Sequence, residues 1–360
     1  MDPSSGYSSG LNPGYTFETL VVGPWNRLAS DAARAVAETP GSRFNPLYLC
    51  GDSGLGKTHL LHAVGQALES RQPAKHVIYT TGRRFLREFT AALIDHQGPE
   101  FRARIRNGCD ALVVDDIEGL AGMELCQVEF FEIFNELCDS GRQIVITASG
   151  LPNELRGIDP RLTSRFGQGL VADIESPNPE ERVAILQRWA QIDGVALPDQ
   201  IAQFIATEFP GSIRALQGAF ARVAAQALAL NEPITPALAC GALAPLLRRR
   251  EELLTAEIIQ QAVANYFKIK VLELRGLSRY RRISVPRQIA MYLIRKLCRL
   301  SYPDIGQRFG RKDHSSVITA CRKTEQRIAT DVATRRSVQH LERSLQRRLE
   351  AAEIEDGQAA

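Results

Sequence analysis

"LYLCGDSGLGKTHLLHAVGQAL", residues 47–68, carries the reading of the fold. It opens with a short apolar run, LYLC (47–50). A glycine-rich turn follows, then a stretch with helical spacing of its apolar residues. The turn fits GxxxxGK[ST] through Gly51, Gly56, Lys57 and Thr58. A strand before it and a helix after it are the context this motif requires. Glycines let backbone N–H groups turn toward phosphate oxygens, and the helix N-terminus adds partial positive charge. Gly51, Gly54, Gly56, Lys57, Thr58 and His59 are therefore the expected phosphate cradle. Lys57 would reach the outer phosphates of a nucleotide, and the Thr58 hydroxyl would hold Mg2+.

Working outward, four more short apolar runs alternate with helical segments: HVIYT (76–80), ALVVDD (111–116), QIVITAS (143–149) and GLVADI (169–174). Short β-branched runs bounded by helices predict an α/β core, a five-stranded parallel sheet with helices on both faces. Asp115 and Asp116 end the third run. Adjacent carboxylates at the end of a buried strand are costly without a cation. Asp115 is assigned to the Mg2+ shell and Asp116 to polarising an attacking water. Thr147 would lie beside the γ-phosphate if its strand neighbours the first. Arg165, four residues after Arg161, lies beyond the fourth strand, where a cation faces a neighbouring subunit's nucleotide in ring or filament ATPases. Arg214 heads a later helix from which a guanidinium reaches back to the phosphates.

From residue 177 the pattern becomes helical throughout. The expected organisation is a disordered lead (1–10), a nucleotide-binding core (11–176), a helical lid (177–247), a linker helix (248–262), a helical DNA-binding domain (263–350) and a disordered tail (351–360). The 360 residues are 44% hydrophobic and 24% charged, the balance of a soluble globular chain. No apolar run is long enough for a membrane span, and no signal peptide is visible, so a cytoplasmic location is expected. Seven cysteines without a CxxC pair argue against a disulfide framework or zinc site. The net charge of +3 is unevenly spread. Residues 1–247 carry a balance of −8 and residues 248–360 one of +11. A basic tail domain fits a polyanion partner.

That domain contains "SYPDIGQRFGRKDHSSVITACRK", residues 301–323, which reads as helix, turn, helix. Ile305 and Phe309 face inward on the first helix, and Gly310 makes the turn. Asp313 caps a second helix with Val317 and Ala320 inward. Lys312, His314, Ser315 and Ser316 gather at its N-terminal end, the part that meets base edges in such motifs. Arg311, Lys312, Arg322 and Lys323 are placed to reach phosphates.

The succession GxxxxGKTHLLHA, LVVDDI, RLTSRFG, PRQ and FGRKDHSSV resembles the bacterial chromosome replication initiator DnaA family over about residues 11–345. The resemblance implies an AAA+ ATPase core with a helical lid and a helix-turn-helix domain. It implies ATP with Mg2+, ADP in the off state, and weak hydrolysis used as a switch. It implies repeated duplex sites at a replication origin, assembly into a filament, opening of adjacent AT-rich DNA, and a nucleoid-associated protein. Arg165 matches the family's inter-subunit arginine finger and Arg214 its lid arginine. Arg287, Asp313, His314, Ser315 and Ser316 match its DNA-contacting positions. Val22, Gly23 and Asn26 match the segment packed on the adenine. The basic, amphipathic LAPLLRRREELL (243–254) permits an acidic phospholipid contact.

The sequence also departs from the family pattern. About ten residues stand where relatives carry an N-terminal interaction domain, so helicase loading through that domain is not expected. Met123 and Leu125 stand where many relatives hold a single strand with basic residues. Glu118 and Glu124 add negative charge nearby, and strand capture by that route is expected to be weak. A regulator that binds DNA without opening it is the alternative reading.

Overall fold

The computed structural model describes residues 10–71, 76–276, 278, 280–310 and 313–357. The chain divides into two compact units, Met1–Thr235 and Pro236–Ala360.

In the first unit, α1 (Arg27–Glu38), β1 (Leu47–Gly51) and α2 (Lys57–Arg71) come first. Then follow β2 (Val77–Thr81), α3 (Gly82–Ile94), α4 (Gly98–Gly108) and β3 (Ala111–Asp115). A 3-10 turn (Ile117–Leu120) leads to α5 (Glu124–Asp139), β4 (Gln143–Ala148), α6 (Pro160–Phe166) and β5 (Leu170–Ile174). All five expected strands form, and they pair in parallel in the order β2-β3-β4-β1-β5. Every residue of β1, β3 and β4 is buried, because helices cover both faces of the sheet. Phe85, Phe130, Phe134 and Phe166 fill one side of it with edge-to-face and tilted ring contacts. Leu49 pairs with Thr147, so the first and fourth strands are neighbours, the condition set for Thr147 to lie beside the loop. The chain order reverses around β1, and the carboxyl ends of β1, β3 and β4 meet there. Ligand sites of open parallel sheets form at such a crevice.

Three helices complete this unit: α7 (Pro179–Asp193), α8 (Asp199–Glu208) and α9 (Ile213–Leu230). A reciprocal capping pair starts α7. The Asn178 side chain accepts the Glu181 N–H at 2.9 Å, and the Glu181 side chain accepts that of Asn178 at 2.7 Å. Ser212 caps α9 by accepting the Ala215 N–H at 3.1 Å.

The second unit is helical among its described residues: α10 (Pro236–Leu253), α11 (Ala256–Phe267), α12 (Val271–Arg275), α13 (Arg281–Cys298), α14 (Tyr302–Arg308), α15 (His314–Thr330) and α16 (Val332–Gly357). The boundary expected at residue 247 falls inside α10, and α16 continues past residue 350. Leu274, Ile289, Leu293, Ile305, Phe309 and Val317 lie in one apolar core. The periodicity that placed Ile305, Phe309 and Val317 inward thus matches their burial. Gly310 turns the chain between α14 and α15 at φ 78°, and a Cβ there would come within 2.5 Å of the Arg275 carbonyl oxygen. No helix among the described residues is long and apolar enough to cross a membrane.

Candidate nucleotide and DNA sites

The loop between β1 and α2 is built on three glycines with positive φ: Gly51, Gly54 and Gly56. A Cβ on Gly51 would collide with the Ile174 carbonyl at 2.4 Å, and one on Gly54 with Ser212 at 2.6 Å. Around Gly56 a Cβ would meet no protein atom within 4 Å, so that side of the loop is open. Lys57 is buried, and its ammonium donates to the Gly51 and Asp52 carbonyls, each at 2.8 Å. Burial pushes its pKa down, while Asp116, Glu118, Asp115 and Asp52 oppose that shift.

Asp115 joins the loop to the sheet. Its Oδ2 accepts the Thr58 hydroxyl at 2.8 Å, and its Oδ1 accepts the hydroxyl of buried Thr147. Thr147 in turn accepts the Asp116 N–H at 2.9 Å. Asp116 sits in the left-handed region, at φ 49°, and is exposed. Surrounding protein raises the Asp116 pKa, and the charges of Asp115 and Glu118 raise it further. The start of α9 closes one side: the Arg214 main-chain N–H donates to the Gly54 carbonyl at 3.2 Å. The Arg214 charge acts on Asp116, so its side chain shares the crevice.

This donor set suits a nucleotide phosphate tail. It offers an open loop of glycines, a helix N-terminus, an ammonium with replaceable carbonyl partners, and a hydroxyl–carboxylate pair. Among the described residues no three His, Cys, Asp or Glu side chains could hold a metal by themselves. A Mg2+ ion at Thr58 and Asp115 would need phosphate and water oxygens to complete its shell.

At the other end of the chain, Asp313, His314, Ser315 and Ser316 are exposed at the start of α15. Asp313 Oδ1 pairs with His314 Nδ1 at 2.9 Å, and its Oδ2 accepts the Ser315 hydroxyl at 2.6 Å. The Ser315 bond and the neighbouring His314 hold the Asp313 carboxyl below its usual range. Arg322 and Lys323 are exposed a little over two turns on, while Arg311 and Lys312 lie outside the described residues. A cleft of about 870 Å³ between α11 and α16, lined by Tyr266, His340 and Leu345, contains none of these groups. Charge and motif, not cavity size, locate the candidate sites.

The comparisons agree with this geometry. The family model of the bacterial DnaA ATPase domain matches residues 11–173, and that of the bacterial DnaA helix-turn-helix matches residues 256–324. The chain is 38% identical to domain III of the Thermotoga maritima replication initiation protein DnaA, over 66% of this chain and 98% of that one, with a TM-score of 0.62. It is 30% identical to AMPPCP-bound DnaA from Aquifex aeolicus, over 93% and 98% of the two chains, with a TM-score of 0.61. A replication initiator DnaA bound to AMPPCP and single-stranded DNA is also 30% identical, over 94% and 99%, with a TM-score of 0.60. The chain belongs to the DnaA family. It combines the family's AAA+ ATPase core with its helix-turn-helix domain.

Within the DnaA frame, the structure brings Gly51, Gly54, Gly56, Lys57, Thr58, Asp115, Asp116, Thr147 and Arg214 to one crevice. The ring of His59 is elsewhere: it stacks on Tyr15 with centroids 4.9 Å apart and contacts the Thr16 carbonyl at 2.8 Å. Asn26 is buried, accepting the Gly23 N–H at 2.9 Å and donating to the Val21 carbonyl at 3.0 Å. It therefore shapes the turn that leaves Val22 exposed. Arg165 ends α6, just before β5 starts alongside Leu47, and bonds Gln168 at 2.9 Å. That is the opposite end of the sheet from its own phosphate loop, roughly 17 Å away for a strand of this length.

Arg287 was expected at the DNA surface, but it is buried. Its guanidinium donates to the Leu274, Ser278 and Glu273 carbonyls at 2.5, 2.7 and 2.9 Å. This guanidinium closes the end of α12 and fixes α13, which sequence spacing alone does not reveal. In the sequence Glu118 is marked only as a negative charge in the loop after the acid pair. Its position three residues past Asp115, on the turn leaving a site strand, is the signal that marks it.

Proposed function

We propose that this DnaA-family chain is an ATP-dependent origin binder whose nucleotide state controls assembly along duplex DNA. The carrying observation is the Thr58–Asp115–Thr147 network beneath an open glycine loop. It stands in the same chain as the exposed residues 313–316 of a helix-turn-helix.

ATP, when bound, supplies a triphosphate tail whose outer end can be sensed by contacts from two sides. Lys57 exchanges the Gly51 and Asp52 carbonyls for phosphate oxygens. Thr58 and Asp115 would hold Mg2+, and Asp116 orients water near the outer phosphate. Arg214 senses that end from the lid of the same subunit. Arg165, remote from its own loop, senses it from a neighbour. His314, Ser315 and Ser316 read base edges, and Arg322 and Lys323 meet the backbone. Arg287 supports this surface by holding α12 and α13.

Replacing Arg165 with alanine tests the arrangement. The variant is expected to bind ATP and single duplex sites like the parent but to fail to assemble on multi-site origin DNA. Sedimentation with ATP and with ADP measures this; unchanged assembly would sink the filament reading.

A second reading has an observation in its favour. Met123 and Leu125 are exposed at the start of α5, at 46% and 75% of their surface, and carry no cation for a single strand. Sequence-specific binding without strand opening follows from that reading. Permanganate footprinting of an AT-rich element separates the two, with ATP-dependent reactivity expected only of an opener. The acidic-phospholipid contact belongs to the same proposal at the level of charge. Leu238, Ala239, Ala242 and Leu243 of α10 are already buried, and Arg248 of its basic run is exposed.

A further inference from the structure

Glu118 lies on the 3-10 turn that follows β3. One carboxylate oxygen accepts the main-chain N–H of Ser149, just past the end of β4. The other oxygen is buried with no hydrogen-bond partner. The Glu118 charge acts on both Lys57 and Asp116, the two residues read as facing the outer phosphates.

A glutamine would accept the Ser149 N–H equally well through its amide oxygen and would carry no charge. The charge therefore exceeds what the anchor requires. A buried carboxylate oxygen left unpaired is costly, so the anchor alone does not account for a glutamate here. A γ-phosphate brings further negative charge to the same end of the loop. A β- or α-phosphate lies farther along it.

We propose that Glu118 is a positioning residue with two separable effects on the nucleotide site. Its oxygen holds the end of β4, and with it Thr147, against the acid pair. Its charge disfavours the triphosphate relative to the diphosphate, so that ATP does not occupy the site by default. Both effects rest on the reading of the loop as an ATP site.

Glu118→Gln and Glu118→Ala separate them. Fluorescent ADP and a non-hydrolysable ATP analogue are titrated against each variant, with Mg2+ and with chelator, and ATP turnover is followed alongside. Both variants are expected to shift preference toward the ATP analogue by about 3- to 10-fold relative to the parent, the scale of one partly screened charge. Only the alanine variant should also turn over more slowly, by about tenfold in kcat at the KM of Glu118→Gln, because it alone loses the Ser149 bond. An unchanged preference in Glu118→Gln overturns the charge effect. Turnover in Glu118→Gln as slow as in Glu118→Ala overturns the anchor. If the alanine variant does not fold, Glu118→Asp, which keeps the charge but is too short for Ser149, replaces it: parent-like preference with slow turnover is expected. A parent protein that binds no adenine nucleotide would instead overturn the ATP-site reading itself.

Discussion

At the scale of single residues, Thr147 shows how one hydroxyl organises the crevice. It donates to Asp115 and accepts from the Asp116 N–H at 2.9 Å, and it is fully buried. Valine has its shape without the hydroxyl. Thr147→Val leaves a carboxylate oxygen and an N–H unpaired, at a cost of about 1–3 kcal/mol. Asp116 also loses the bond that pins its left-handed backbone. Denaturant unfolding should therefore show a lower midpoint, and nucleotide titration a weaker fit; an unshifted midpoint would refute the network. Thr147, Lys57, Thr58 and Asp115 were legible in the sequence because motif spacing carries their chemistry. Glu118 and Arg287 were not. Their roles depend on which carbonyls and N–H groups come near, and those lie 9 to 31 residues away in sequence.

At the scale of elements, residues 12–19 lie against α2 through two histidines. The Asn12 N–H donates to His62 Nδ1 at 3.0 Å, which only a neutral imidazole can accept. His62 also packs on Tyr79, with centroids 4.4 Å apart, and Tyr15 stacks on His59. Burial holds both imidazoles below their ordinary pKa. In the unfolded chain they take up protons near pH ~6.5. Between the lowered native value and that point the unfolded state binds more protons, so stability there rises with pH. The hold is complete above about pH 6.5 and is lost as pH falls through the native values. Hydrogen exchange should find the Asn12 amide protected near neutrality and progressively less protected as pH falls below ~6.5. Protection that persists in acid would contradict this. The sequence placed α2 through its motif, but not the segment that covers it, because that segment has no periodicity of its own.

At the scale of the whole molecule, charge and compactness divide the chain in the same sense. The second unit starts at Pro236, and α10 packs against α16 within it. A fragment of residues 236–360 is therefore expected to fold alone and bind duplex DNA, with an affinity that falls with salt and ignores ATP. His314→Ala in that fragment should weaken specific binding by about 1–3 kcal/mol without moving its melting temperature. An unfolded fragment would show that the boundary lies elsewhere, and a parent-like His314→Ala that α15 does not read bases. A cut at residue 247 divides α10, so that shorter fragment should melt earlier.

By itself the sequence determined the five strands, the phosphate loop, the acid pair and the helix-turn-helix. Each is written in local spacing: β-branched runs, glycines at fixed offsets, apolar residues one helical turn apart. Only the tertiary structure decided that Arg287 is a buried brace, that His59 turns toward Tyr15, and that Glu118 grips the end of β4. Those outcomes follow from where long polar side chains find partners, and a buried donor or acceptor takes whichever partner the folded chain brings within about 3 Å.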